Sequence, residues 1–236
     1  MSPDVTVVIA TRNRPAALEN ALASVAAQHL ESYEVVVVDD GSQEEHAESY
    51  RSLVAHDKRI RLLQPLKAGE SGSGPSASRN RGIFAGTGRY VAFLDDDDTW
   101  VCPDHLSDAV SLLDRTGTNL YYADMEGVRG DAVMWKTWFV NRQPLVESER
   151  VVDAPATYKL SRASFLKTIK GKNLHVNPLV VSRRLVEQSG GFVNRLTFGE
   201  DNEFIFRLVD HSDVVLVCDR IAARYAFPDK GSHSLT

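Results

Sequence analysis

Short apolar runs and helix-length segments alternate through the first half of the chain. The apolar runs, rich in β-branched residues, are Val5–Ala10, Tyr33–Asp40, Ile60–Gln64 and Arg89–Asp95. Between them, apolar residues recur every three or four positions, which is the spacing of one helix face. These segments predict a helix containing Leu18, Leu22 and Val25, a second over Gln43–Ala55, and a third over Pro75–Ala85. Apolar strands separated by helices predict an α/β protein with a parallel sheet covered on both faces.

The second half of the chain has a less regular pattern. It predicts a strand over Asn119–Glu126, a short helix over Arg184–Ser189, a longer helix over Glu200–Val209 and a strand over Val214–Cys218. The change in pattern places a boundary near residue 118. We therefore describe residues 1–118 and 119–236 as two halves of one domain.

Polar residues follow three of the four apolar runs in the first half. These polar segments are Thr11–Arg14, Asp39–Ser42 and Asp95–Asp98. Open parallel sheets bind their ligands in a crevice at the carboxyl ends of the strands. The three segments therefore predict one binding site at that edge of the sheet.

Four consecutive aspartates, Asp95–Asp98, are the most unusual feature of the sequence. Neighbouring carboxylates repel each other by about 2–3 kcal/mol at an effective dielectric constant near 20. If the strand continued through them, Asp95 and Asp97 would point to one face, and Asp96 and Asp98 to the other. A bound Mg²⁺ or Mn²⁺ would turn the repulsion into binding, because both ions prefer oxygen ligands. The alternative is a solvated acidic turn that caps the helix predicted after Pro103, and the metal site is the favoured interpretation.

Composition narrows the classes of function. The 236 residues are 43% hydrophobic and 25% charged, as in ordinary globular proteins, and the net charge is −5. No basic patch is evident in the sequence, so binding of nucleic acid is not expected. Cys102 and Cys218 match neither a disulfide framework nor a metal motif, which favours a reducing compartment. The chain shows no signal peptide and no 18-residue apolar run, so we expect a cytoplasmic protein without a membrane span.

Several segments together resemble family 2 glycosyltransferases. They are VTVVIATRNRPAALENALASVAAQ, YEVVVVDDGS, SGPSASRNRGIFAGTGRYVAFLDDDDTW and, more weakly, VVSRRLVEQSGGF and FGEDNEFIFRL. The resemblance implies the GT-A fold, which has a Rossmann-like, mostly parallel central sheet flanked by helices. It further implies that residues 1–118 bind a nucleotide sugar. Residues 119–236 would then form a smaller half that binds the acceptor and supplies the catalytic base.

The resemblance assigns the first two strand ends to the nucleotide. Thr11 and Arg12 would contact it, and Asp39 would recognise the base. A carboxylate only accepts hydrogen bonds, so Asp39 suits the N–H groups of uracil, thymine or guanine, and the donor would be of the UDP, dTDP or GDP type. Asp40 is expected to cap the turn at Gly41 and Ser42.

The resemblance also assigns the diphosphate and the metal. Arg79, in SRN where the family usually has A-R-N, would hold the nucleotide or its diphosphate, as a guanidinium suits phosphate. Asp95 and Asp96 would also bind the nucleotide sugar, and Asp97 would be the main ligand of Mn²⁺ or Mg²⁺. His233 is a candidate for a further metal ligand. The register of the motif within Asp95–Asp98 stays open.

The segment FGEDNEF resembles the family's catalytic-base segment. Asp201 would take the proton of the acceptor hydroxyl as base, with Glu200 as the alternative. Helix periodicity places Asp201 on the inward stripe of Phe204, Ile205 and Leu208, whereas acidic residues at a helix start can also act only as caps. The expected activity is an inverting, metal-assisted transfer of a sugar from a nucleotide diphosphate sugar to an acceptor hydroxyl.

Two other functions compete with this interpretation. The string D-x-D-x-T at Asp95–Thr99 resembles phosphatases that use an aspartate nucleophile, which would make Asp95 the nucleophile and Asp97 the acid/base. A GT-A-like domain that binds a nucleotide sugar without transferring it is the second alternative.

The acceptor cannot be read from the sequence. A glycan, a lipid-linked sugar and a small molecule all stay open as acceptors, as does a homodimer. Trp135 and Trp138 are either core residues or a stacking surface for the acceptor, and His175 is expected near the site.

Overall fold

The computed structural model describes residues 2–65, 72–196 and 198–228. Eleven strands of this part of the chain form one sheet: β1 Val5–Thr11, β2 Tyr33–Asp39, β3 Ile60–Leu63, β4 Tyr90–Phe93, β5 Thr99–Trp100, β6 Leu120–Arg129, β7 Ala132–Trp135, β8 Glu149–Arg150, β9 Thr157–Ser161, β10 Leu179–Ser182 and β11 Val214–Ala226. The α-helices are α1 Pro15–Ala26, α2 Ala47–Ala55, α3 Pro75–Ala85, α4 His105–Thr116, α5 Gln143–Val146, α6 Arg162–Thr168, α7 Arg183–Ser189 and α8 Glu200–Asp210.

The first half forms the parallel part of the sheet, in the order β3-β2-β1-β4. Residues 35–38 of β2 are valines with at most 1% exposure, as expected for a strand covered by helices on both faces. The predicted α/β fold with a mostly parallel central sheet flanked by helices is confirmed.

The two faces of the sheet belong to two apolar cores. Val7 and Ile9 of β1 pack in the core that contains the apolar side of α1 and α4. Val8 points the other way, into the core that includes Ile83 of α3 and Phe204 of α8. This alternation follows from the two-residue period of a strand. It fixes α3 and α8 on the same side of the sheet, where their first turns can meet.

The second half adds antiparallel strands to the same sheet. The short strand β10 lies between β4 and β6 and is antiparallel to both, with Val181 opposite Val91. Directly after β10, the guanidinium of Arg183 donates hydrogen bonds to the carbonyl oxygens of Gly88 and Ile83. Strands from the two halves therefore pair within one sheet. The boundary near residue 118 stays a prediction.

Two of the strands whose ends differ from the predicted ones, β4 and β11, differ for reasons that the structure shows. β4 ends at Phe93 and not at Asp95, because the backbone turns within the acidic run, where the amide of Asp98 donates to the carbonyl oxygen of Asp95. β11 continues to Ala226 rather than ending at Cys218. Register shifts between Cys218 and Ala223 break its apolar alternation, which is why the sequence pattern stopped there.

Within the described ranges, no helix has the length and apolar character that crossing a membrane requires.

Candidate active site

A cavity of about 500 Å³ lies at the carboxyl ends of β1, β2 and β4. The start of α3, the start of α8 and the end of β11 complete its walls. Its volume is within the range of small-molecule sites, about 300–1,000 Å³. The cavity therefore occupies the edge of the sheet where the polar strand ends predicted a site.

Thr11 and Arg12 lie at the end of β1 and both line the cavity. The Thr11 hydroxyl donates a 2.7 Å hydrogen bond to the carboxylate of Asp96, which is 6% exposed. Burial raises the pKa of Asp96 to about 6, against the opposing effect of the Thr11 hydrogen bond. The neighbouring Arg14, which the sequence analysis did not single out, donates to Asp96 at 3.2 Å and to Asp97 at 2.7 Å.

The acidic run is a turn, so the expected alternation of its side chains between two faces is wrong. Asp95, Asp96 and Asp97 all line the cavity. Asp98 is 1% exposed and points into the protein, where it accepts hydrogen bonds from the Asn177 side chain and the Ala226 amide. Because both Asp98 oxygens already accept hydrogen bonds inside the protein, the candidate ligands of the acidic run are Asp95, Asp96 and Asp97.

The adjacent aspartates at the end of β2 differ in their contacts from the expected pattern. Asp39 is 4% exposed and accepts a 2.8 Å hydrogen bond from the Ser42 amide, so it caps the turn that was assigned to Asp40. Asp40 lines the cavity and accepts hydrogen bonds from the amides of residues 73 and 74 and from the Ser78 hydroxyl. Asp40 thereby anchors the start of α3. A Cβ on Gly72 would collide with the Asp40 carboxylate, so this approach requires glycine.

Arg79 is the centre of the polar network. Its side chain is 5% exposed and donates to Asp95 at 2.6 Å, to Asp201 at 3.0 Å and to Glu200 at 3.4 Å. Burial would lower the pKa of Arg79, but the charges of Asp201 and Asp95 outweigh burial and raise it. One buried cation therefore holds together the acidic run after β4 and the acidic start of α8.

Asp201 occupies the second position of α8, which follows Gly199 in the left-handed conformation. One carboxylate oxygen contacts Arg79 and the other accepts a 3.2 Å hydrogen bond from the Val176 amide. Burial raises the pKa of Asp201 to about 7, more than the charge of Arg79 lowers it. A carboxyl group with this pKa exchanges protons readily near neutral pH. Glu200 is 8% exposed and borders the same cavity.

The carboxylate-rich wall fits a divalent cation. Oxygen donors from Asp95–Asp97 face the cavity, and the side chain of Asp97 is 40% exposed, which leaves room for an ion that keeps some of its waters. Among the described residues, Asp95, His175 and Asp201 also place ligand atoms within 4.8 Å of one another. Arg79 contacts Asp95 and Asp201, and Arg14 contacts Asp97, but the Asp97 side chain is the most exposed of the three, so Asp97 is the better candidate ligand. His233 lies outside the described residues.

Aromatic side chains form part of the cavity wall. Trp135 and Trp138 both line the cavity, but Trp138 is 1% exposed and belongs to the core, whereas Trp135 is 41% exposed. The ammonium nitrogen of Lys172 lies 3.3 Å from the centroid of the Trp135 ring. His175 does lie near the site, with its ring packed on Trp138 and Tyr225.

Asp124 of β6 is fully buried. It accepts hydrogen bonds from the backbone amides of Met125 and Trp138, so its role is structural.

Sequence reasoning missed several residues that line the cavity, among them Arg14, Asp40, Lys172 and Tyr225. Arg14 could have been found, because it is the second arginine of the polar segment after β1. Asp40 could not be separated from Asp39 by pattern alone. Lys172 and Tyr225 come from the irregular second half, where nothing in their local sequence indicates a site.

Comparison with known proteins identifies the family. The family model for Glycosyl transferase family 2 matches residues 6–167, more than half of the chain. Succinoglycan biosynthesis protein ExoW of Rhizobium meliloti is 30% identical over 223 residues, which are 93% of this chain and 67% of ExoW. The chain therefore belongs to glycosyl transferase family 2.

Solved structures agree with the fold. S. aureus TarS in complex with UDP-GlcNAc superimposes with a TM-score of 0.71 at 20% identity, covering 99% of this chain and 60% of that one. The mannosyltransferase PcManGT from Pyrobaculum calidifontis, in complex with GDP-Man and Mn²⁺, gives 0.67 at 19% identity and covers 98% and 59%. These likenesses confirm the predicted GT-A fold. The chain spans about three fifths of the length of both.

Proposed function

We propose that the chain transfers a sugar from a nucleotide diphosphate sugar to an acceptor hydroxyl with inversion at the anomeric carbon. The observation that carries this proposal is the buried Asp201 carboxylate, whose pKa of about 7 suits a general base, in the same cavity as Asp95–Asp97. Inversion needs only one base on the acceptor side of the sugar, and Asp201 would be that base.

The donor would lie along the strand ends. Thr11 and Arg12 line the cavity next to the acidic run, where they would contact the nucleotide, and Asp95 and Asp96 would contact its sugar and phosphates. Asp39 accepts a hydrogen bond from Ser42, and its second carboxylate oxygen would be the one that contacts a base. The neighbours bound to UDP-GlcNAc and to GDP-Man support a donor of the UDP or GDP type.

We propose Mn²⁺ or Mg²⁺ as the cofactor, held by Asp97. When bound, the metal would neutralise the charge that develops on the diphosphate leaving group. His233 stays a proposed further ligand. The neighbour that contains Mn²⁺ and the half-exposed Asp97 support this assignment.

The chain's own residues would prepare the acceptor. Asp201 would accept the proton of the acceptor hydroxyl, and Arg79 would keep the Asp201 carboxylate oriented through their 3.0 Å contact. Glu200 accepts from the same guanidinium nitrogen of Arg79 at 3.4 Å and stays the alternative base.

Calorimetric titration tests the proposal. UDP, dTDP, GDP, ADP and inorganic phosphate would each be titrated with Mn²⁺ and with EDTA, on the natural chain and on Asp97→Ala. We expect one diphosphonucleotide to bind only with Mn²⁺ and to lose binding in the variant. Absence of nucleotide binding under all conditions would refute the transferase. Binding of phosphate alone would favour the phosphatase that uses Asp95.

A catalytic test separates transfer from binding alone. Release of the nucleoside diphosphate from the selected donor, in the presence of candidate acceptors, would show turnover. Tight donor binding without release for any acceptor class would favour the non-catalytic domain.

A further inference from the structure

A second groove, of about 400 Å³, lies between α6 and α8 beside the active-site cavity. Its floor is apolar and consists of Leu166, Ile169, Phe206 and Val209. Phe206 is 42% exposed although it belongs to the helix that carries Asp201. The groove therefore presents apolar surface to solvent close to the proposed catalytic base.

The rim of the groove is basic. Lys170 is exposed and Lys172 is partly exposed, and both border the floor. Arg162 also borders it but is paired with Asp210 at 2.7 Å, so the unbalanced charge comes from the two lysines. The sequence around them has the same bias: between Asp153 and Glu187 it contains no acidic residue but seven lysines and arginines. The overall charge of −5 conceals this local excess.

The groove is continuous with the active site. Gly171 and Lys172 line both the groove and the 500 Å³ cavity. Lys172 also packs on Trp135, which is linked through Trp138 to His175, and His175 places a ring nitrogen within 4.8 Å of the Asp201 carboxylate. A ligand in the groove would therefore meet the cavity on the side of the proposed base.

The size of the groove indicates a small ligand, and its combination of charge and apolar surface indicates an amphiphile. Its volume lies in the range of small-molecule sites, whereas a specific protein partner would contact about 20–30 residues on this side. Positive charge above an apolar floor complements a phosphate joined to a hydrocarbon chain. An uncharged glycan would leave the positive charges of the two lysines without a counter-ion.

We propose that this groove binds a lipid phosphate or diphosphate that carries the acceptor sugar. The phosphate lies at Lys170 and Lys172, the first part of the chain lies on the floor, and the sugar reaches the cavity past Trp135. This inference names the acceptor class and rests on the proposed function.

The test uses farnesyl diphosphate as the probe, titrated calorimetrically into the whole chain in EDTA. Inorganic diphosphate and farnesol serve as the head-only and chain-only ligands. We expect each to bind at least tenfold more weakly than farnesyl diphosphate. Lys170→Glu and Phe206→Ser should each weaken the binding of farnesyl diphosphate about tenfold, because one reverses a rim charge and the other removes floor area. Lys58→Glu, a charge reversal at an exposed lysine before β3, is the matched control and should change nothing.

Several results would overturn the inference: equal binding of inorganic diphosphate, no binding of farnesyl diphosphate, or no effect of either groove variant. Phosphatidylglycerol vesicles that bind in a groove-dependent way without farnesyl diphosphate binding would assign the groove to membrane phospholipid. Self-association that both variants abolish would assign it to a second copy.

The same variants separate this inference from the proposed function. UDP and GDP would be titrated with Mn²⁺ into the natural chain and into Lys170→Glu and Phe206→Ser, and the two variants should bind nucleotide as the natural chain does. A natural chain that binds nucleotide but not farnesyl diphosphate would refute only the groove. A natural chain that binds farnesyl diphosphate but no nucleotide would refute only the transferase.

Discussion

Replacing Asp201 by asparagine removes the proposed base while keeping the shape of the side chain. Burial sets the pKa of Asp201 at about 7, so about a tenth of the groups are ionised at pH 6, about half at pH 7 and about nine tenths at pH 8. The kcat/KM of the natural chain should therefore rise about tenfold between pH 6 and pH 8. Loss of a general base typically lowers turnover by about 10²–10⁴-fold, and the remaining activity of Asp201→Asn should lose this pH dependence.

The assay is release of the nucleoside diphosphate from the donor selected by titration, measured from pH 5.5 to 8.5. Donor binding by Asp201→Asn should stay within about twofold, since the amide oxygen can still accept from Arg79. Glu203→Gln is the control, because Glu203 lies on the same helix but pairs with Arg207 at the surface. A flat profile in the natural chain, or an Asp201→Asn variant with more than a tenth of the activity, would refute the assignment.

Three further predictions concern stability and the acidic run. Arg79→Met should lower the free energy of unfolding by about 3–5 kcal/mol and the Tm by about 10 °C, because buried carboxylates lose their counter-ion. Thermal unfolding measures this change, with Arg81→Met as control. A decrease in Tm of less than 2 °C for Arg79→Met would contradict the prediction. Asp98→Ala should lower the free energy of unfolding by about 1–3 kcal/mol, because it leaves the Asn177 side chain and the Ala226 amide unpaired. Asp97→Ala should leave Tm nearly unchanged and abolish metal-dependent nucleotide binding. The opposite pattern would place the metal ligand at Asp98. Because the pKa of Asp201 is raised, the folded state binds the Asp201 proton more tightly than the unfolded state, and the free energy of unfolding should fall as pH rises from about 4 to 7. Urea titrations of Asp201→Asn should show a smaller fall over that pH range. Equal falls in the variant and the natural chain would show that Asp201 is not the group responsible.

The first half of the fold could be predicted because its signals are local. Runs such as the valines of β2 are covered on both faces, and α1 buries an unbroken apolar stripe from Leu18 to Val25. Strand ends collect polar residues wherever the sheet binds a ligand, so the position of the site followed from the same pattern. Asp95–Asp97, Arg79 and Asp201 all border the observed cavity.

Other features depend on contacts that the local sequence does not contain. The contacts of Asp40 depend on Gly72, 32 positions later in the chain. Because Gly72 has no side chain, the loop before α3 can approach Asp40 and donate hydrogen bonds to it. The turn in the acidic run depends on Asn177, which bonds both the Asp95 amide and the Asp98 carboxylate. The full length of β11 depends on its pairing with β6 across two register shifts. None of these partners is near in sequence, so periodicity could not reveal them.

The position of β10 determines when the central sheet can fold during translation and where a stable fragment of the chain can end. β4 is an inner strand only because residues 179–182, some ninety positions later, insert beside it. Until that segment has left the ribosome, the edge of β4 exposes unpaired backbone groups next to a hydrophobic face, which is a template for aggregation. Formation of the central sheet therefore waits for a long-range closure, and such closures slow folding. A fragment that stops at residue 118 would retain this open edge, so a minimal nucleotide-binding fragment should extend at least through Arg183, whose side chain bonds back to β1 and to the end of α3.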